Sequence, residues 1–140
     1  MKVLLASDGS DCSDRAAKYV ARALRAQVKE LSVTLMFVDP PMMARVKRAL
    51  GESVVERIVR EDADFNLKQA RRRLQRAGVA FEELVAEGLV ADCIATNAKK
   101  GKFDLVVMGT HGRGSLGNLL LGSVTTRLLT KCTVPVLVVP

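Results

Sequence analysis

Apolar positions along the chain fall into short continuous runs separated by segments with helical spacing. Val3–Ala6 is an apolar run of strand length, ended by the turn-prone string "SDGSD". Ala16, Ala17, Val20, Ala23, Leu24 and Val28 then recur on one face of a helix, with Ser10 or Asp11 as its N-cap. Leu31–Val38 predicts a second strand, closed by Asp39-Pro40-Pro41. Met42–Ser53 reads as an irregular loop with helical potential. A long amphipathic helix follows from about Ser53 to Ala77, its apolar face running through Val55, Ile58 or Val59, Phe65, Ala70 and Leu74. Gly78 stands where a helix C′ residue belongs.

Val79–Glu87 carries the weakest of the strand patterns. Ala91–Lys100 predicts a short helix with Ile94 and Ala98 on one side, Asp104–Gly109 a fourth strand and Val134–Pro140 a fifth. A helix over Ser123–Lys131 lies between the last two. Strands without clean alternation, each joined to the next by a helix, imply a parallel sheet with helices on both faces. Ligands of such sheets sit beyond the carboxyl ends of the strands, where strand order reverses. "SDGSD", "DPP" and the segment after strand four therefore share one rim.

Composition narrows this picture. The 140 residues suit a single domain, residues 1–140, and a 49% apolar content argues against disorder. No run approaches the roughly 18 apolar residues of a membrane span, and the N-terminus lacks a secretory pattern, so a cytoplasmic location is expected. Cys12, Cys93 and Cys132 are odd in number and widely spaced, which reads as free thiols, and His111 is the sole histidine. The net charge is +7, and Arg45–Arg76 holds ten Lys/Arg against five Asp/Glu. That surface could attract nucleic acid. With no aromatic interleaved in "RRR", a solvated helix with Glu56–Arg60 and Asp64–Lys68 pairs is favoured.

The candidate chemistry lies in "GTHGRGSLGNLLLGSV", Gly109–Val124, which holds five of the chain's ten glycines. Positive φ angles or close backbone approach would explain them. No GxxxxGK[ST] loop is present. Gly112, Gly114 and Gly117 match GxGxxG, but after the fourth strand and without the later acidic residue of a dinucleotide site. A loop whose amides flank phosphates, closed by a helix start at Gly122 and Ser123, fits better.

The spacing Gly109-x2-Gly112-x9-Gly122-Ser123 after "DLVVMG" resembles the nucleotide signature of the universal stress protein family. "KVLLASDGSDCSDRAAKYV" and the chain's ending are similar to that family as well, whereas Met42 to about Arg76 is not. The resemblance implies a three-layer α/β sandwich of the Rossmann-like adenine nucleotide alpha hydrolase type, with a five-stranded parallel sheet in order 3-2-1-4-5. It implies ATP as ligand, with Mg2+ or Mn2+ accompanying the phosphates. Gly109, Gly112, Gly122 and Ser123 would cradle those phosphates, with a backbone amide from Val124 and a hydroxyl from Thr125. Asp8 would reach the ribose or the phosphate-bound metal, and Ala6, Val38 and Met108 would meet the adenosine. Ala6 stands where many relatives have proline, and Phe37 where many have histidine.

Other readings stay open residue by residue. Asp8 also suits a turn, Ser123 an N-cap, and Arg113 either phosphate contact or solvent. His111 has no catalytic partner by spacing, and no base is evident opposite the loop, so hydrolysis is expected to be slow at most. The expected function is a nucleotide-dependent stress-response switch. A nucleotide-independent adaptor is the alternative, and a nucleic-acid binder the less favoured one. The resemblance and the apolar last strand, "PVLVVP", both imply a homodimer paired through that strand. The methionine-containing loop after Pro40-Pro41 would be an adaptable flap near the adenine.

Overall fold

In the computed structural model, residues 1–112 and 121–140 are described. Strand β1 (Lys2–Ala6) leads into α1 (Asp11–Tyr19), a π-helical turn (Val20–Leu24) and α2 (Arg25–Gln27). Then come β2 (Ser32–Asp39), α3 (Ala44–Leu50), α4 (Glu52–Arg76), β3 (Phe81–Glu87) and α5 (Val90–Lys100). The chain ends with β4 (Leu105–Gly109), α6 (Ser123–Lys131) and β5 (Val136–Val139).

The five strands are parallel in the order β3-β2-β1-β4-β5, as expected. Central β1 pairs Val3 with Val33 on one side and with Leu105 on the other. Its side chains alternate between two cores. Val3 and Leu5 pack with Ala17, Val20, Leu67 and Leu74 of α1, the π-helical turn and α4, while Leu4 packs with Met36, Ile94, Val106 and Leu128 against α5 and α6. All of these are buried, so the absence of polar alternation in β1 follows from its two covered faces. Order reverses between β1 and β4, and the carboxyl ends of β1, β2 and β4 meet there.

The structure corrects the sequence reading of α4. Ala63, Leu67, Ala70 and Leu74 form its buried stripe, while Phe65 is 75% exposed. At about 100° per residue, Phe65 lies roughly 200° round the helix from Ala63. The Glu56–Arg60 and Asp64–Lys68 pairs are also replaced. Arg71 bridges Asp64 and Glu83 of β3, and Arg73 grips Asp14 of α1 at 2.7 Å. Hydrogen bonding to Glu83 raises the Arg71 pKa, and Asp14 does the same for Arg73. Two of the three arginines in "RRR" thus dock their own helix.

The Met42–Ser53 segment contains α3, separated from α4 by Gly51 at φ +82°. Ser10, in extended conformation, caps α1 by accepting from the Ser13 amide. Both edges of the sheet bear on later sections. Edge strand β3 reads FEELVAE, and edge strand β5 reads VLVV, half-buried throughout. The three cysteines are free, and no helix among the described residues is long and apolar enough to cross a membrane.

Candidate functional site

At the carboxyl end of β1, Asp8 folds back on the turn that follows. Its Oδ1 accepts from the Ser10 amide at 3.0 Å and from the Ser10 hydroxyl at 2.6 Å. This is an Asx turn, the local reason an aspartate suits the position. The Ser10 hydroxyl also lies 3.3 Å from the His111 carbonyl, so the β1–α1 turn touches the segment after β4.

The glycines after β4 are close-contact residues. None of Gly109, Gly112 and Gly122 has a positive φ, so that explanation for them is set aside. A Cβ on Gly109 would stand 2.7 Å from the Cys12 carbonyl carbon and 2.9 Å from the Ser13 nitrogen. The end of β4 therefore packs directly on the first turn of α1. A Cβ on Gly112 would stand 2.7 Å from Asp8 Oδ2, and one on Gly122 would stand 3.1 Å from the Thr110 oxygen. What approaches these glycines, in the first instance, is the protein itself.

Helix α6 opens onto the same place. Gly122, rather than Ser123, is its N-cap, and the Gly122 amide donates to the Thr110 carbonyl at 2.8 Å. The first helical bond runs from the Thr126 amide to the Gly122 carbonyl. The amides of Ser123, Val124 and Thr125 consequently have no acceptor within the helix, and they carry the positive end of its dipole. The Thr125 hydroxyl donates to the carbonyls of Gly109 (3.2 Å) and Thr110 (3.0 Å). It is a clamp between strand and helix.

These parts border one cavity of about 840 Å³. Ala6, Asp8, Val38, Met108, Gly109, Gly112, Gly122, Ser123, Val124 and Thr125 all line it. Arg113, Gly114 and Gly117 lie outside the described residues. Met36, Val90 and Ile94 make the middle of the cavity apolar. His111 lines it too, with Nδ1 3.0 Å from the Thr110 hydroxyl.

Sequence reasoning missed the far end. Asp39, Asp62, Phe65 and Asn66 line the cavity there. Three of them come from α4 at i, i+3 and i+4, one helical face, and that spacing was the available signal. Gly9, at φ +77°, would bring a Cβ within 3.0 Å of Asn66 Oδ1, so α4 also closes against the β1–α1 turn. Asp39 is buried, 7% exposed. Burial and the neighbouring carboxylates of Asp62 and Glu87 raise its pKa above the ordinary 3.8, against the pull of Lys47. Lys47 of α3 is ion-paired to Glu87, and that hydrogen bond lowers the Glu87 pKa.

A parallel sheet with an open crevice at its reversal point, an apolar middle and a donor-rich helix start is an architecture with known counterparts. The model of the universal stress protein family matches residues 1–140. The chain belongs to the universal stress protein family. It is 33% identical to universal stress protein MJ0531 of Methanocaldococcus jannaschii over 141 residues, covering 99% of this chain and 81% of the relative. The structure of MJ0577 from the same archaeon superposes with a TM-score of 0.82 at 28% identity, covering 99% of this chain and 94% of that one. A crystal structure of a universal stress protein in complex with cAMP has the same fold, with TM-score 0.73, 24% identity, and 100% and 97% coverage.

No group of three or more His, Cys, Asp or Glu side chains among the described residues of this universal stress protein could hold a metal. A cation here would need most of its ligands from elsewhere.

Proposed function

We propose that this universal stress protein binds an adenine nucleotide, ATP, in the 840 Å³ cavity and that occupancy biases its interactions with partners in the stress response. One observation carries the reading: a single cavity joins an apolar compartment to the start of α6 and the glycines Gly109, Gly112 and Gly122. Anions are stabilised at such helix starts by free amides and the dipole together. The cAMP complex of a relative supports an adenine ligand.

In this reading the amides of Ser123 and Val124 and the Ser123 hydroxyl hold phosphates. Ala6, Val38 and Met108 pack on the adenosine. Asp8 reaches the ribose or an accompanying Mg2+ or Mn2+. One carboxylate plus phosphate oxygens and water is an ordinary set for Mg2+, and Asp8 Oδ2 faces the Gly112 backbone beside the cavity. Two copies pair through β5, whose short apolar edge has no charged residue to deter a neighbour. Three free thiols suit the reducing cytoplasm.

The test is to denature purified protein and identify released nucleotide by chromatography and mass spectrometry. ATP near one per chain is expected, and Gly122→Val, whose branched side chain would press on Thr110 and His111, should come out empty. Sedimentation should give twice the chain mass. A wild type that is empty and rejects millimolar ATP would overturn the reading in favour of a nucleotide-independent adaptor.

A further inference from the structure

The cavity ends in opposite electrical characters. Around Ser123 and Val124 it offers N–H donors and the positive end of α6. At the carboxyl end of β2 it offers the acids Asp39 and Asp62, with the Phe65 ring at their side. Asp39 is the unusual member. It is more than nine-tenths buried, it lines the cavity, and no described residue donates a hydrogen bond to its carboxylate. Among the described residues, desolvation and the charges of Asp62, Glu87 and Lys47 act on it. The one cation among these, Lys47, is engaged with Glu87. No buried side-chain oxygen among the described residues lacks a partner, so the Asp39 carboxylate opens onto the cavity, where it accepts strongly from any N–H or O–H brought to it.

We propose that Asp39 is the specificity-determining acceptor of the cavity. Its carboxylate takes a hydrogen bond from the donors of a bound nucleoside, either the exocyclic amine of the base or a ribose hydroxyl. The inference rests on the nucleotide reading above and deepens it. Asp39 and Asp62 repel phosphate, so the ligand enters in one orientation, with its anionic end on α6 and its donor-bearing end on β2. A site built around a buried acceptor rejects an analogue without the matching donor far more strongly than an apolar pocket does.

Calorimetric titration of the intact protein with ATP, inosine triphosphate, 2′-deoxy-ATP and inorganic tripolyphosphate tests this. Inosine triphosphate replaces the amine by a carbonyl, and 2′-deoxy-ATP removes one hydroxyl. The wild type is expected to bind one of these two at least tenfold more weakly than ATP, which identifies the donor. Asp39→Leu, which keeps the volume but not the acceptor, should reduce that preference below threefold while binding tripolyphosphate no less tightly. A wild type that binds all three nucleotides within threefold overturns the proposal without the help of any variant. So does a preference that survives in Asp39→Leu. A wild type that binds tripolyphosphate and ATP equally well also overturns it, since the nucleoside then contributes nothing. Failure to bind either ATP or tripolyphosphate defeats the nucleotide reading itself.

Discussion

The two ends of the cavity are made by different means. At the α6 end the work is done by main chain: amides, a helix start and glycines that let β4 lie against α1. At the β2 end it is done by side chains, one acid from the strand and three residues from a helical face. Main-chain recognition tolerates little change in shape, because a Cβ in the wrong place meets backbone that cannot rotate away. Side-chain recognition can be altered residue by residue with the fold intact. The first end suits a feature common to many ligands, and the second suits discrimination between them.

That contrast makes the two ends respond differently to substitution. The largest effect is expected from Gly109→Val, whose Cβ would meet Cys12 and the Ser13 nitrogen below 3.0 Å. It should cost about 2–4 kcal/mol of stability in urea unfolding, as overpacking against rigid backbone does. A loss under about 1 kcal/mol would mean that α1 and β4 are not so tightly joined.

At the other end, Phe65→Ala should leave stability within about 0.5 kcal/mol, because the ring is already exposed. Nucleotide affinity should fall at least about fivefold, the lower end of what one base–aromatic contact is worth. An unchanged affinity would restrict Phe65 to the rim.

The smallest effect concerns Asp39 and pH. Its pKa is raised by burial and by Asp62 and Glu87, so the folded protein holds that proton more tightly than the unfolded chain does. Ionised Asp39 therefore opposes folding above its raised pKa, and the penalty disappears as pH falls towards the ordinary value of 3.8. Asp39→Asn should raise the ligand-free Tm at pH 7 by about 1–3 °C, with the gap closing on acidification. A gap that widens towards low pH would reverse the sign of the interaction.

Legibility in the sequence divides along the same line. The donor-rich end is one contiguous stretch, and its spacing from Gly109 to Ser123 could be read before any folding. The strand and helix order was equally plain, because apolar runs and helical spacing are local properties. Asp39 looked like a turn residue before Pro40-Pro41, since its burial depends on α4 folding across it from far along the chain. Helical spacing alone puts Phe65 on the apolar face with Ala70 and Leu74, and only the observed register of Ala63, Leu67 and Ala70 excludes it. The close contacts of Gly109 with Cys12 join residues nearly a hundred positions apart, which no local pattern encodes.

The unequal edges of the sheet have one more consequence. Strand β3 carries Glu82, Glu83 and Glu87, with Arg71 and Lys47 tied to two of them, whereas β5 carries only valine and leucine. A sheet with one bare border can add one neighbour, and after that both outer borders of the enlarged sheet are the charged kind. Under the pairing through β5 proposed above, growth by strand addition would stop at two copies, so the same asymmetry would disfavour polymerisation into fibres.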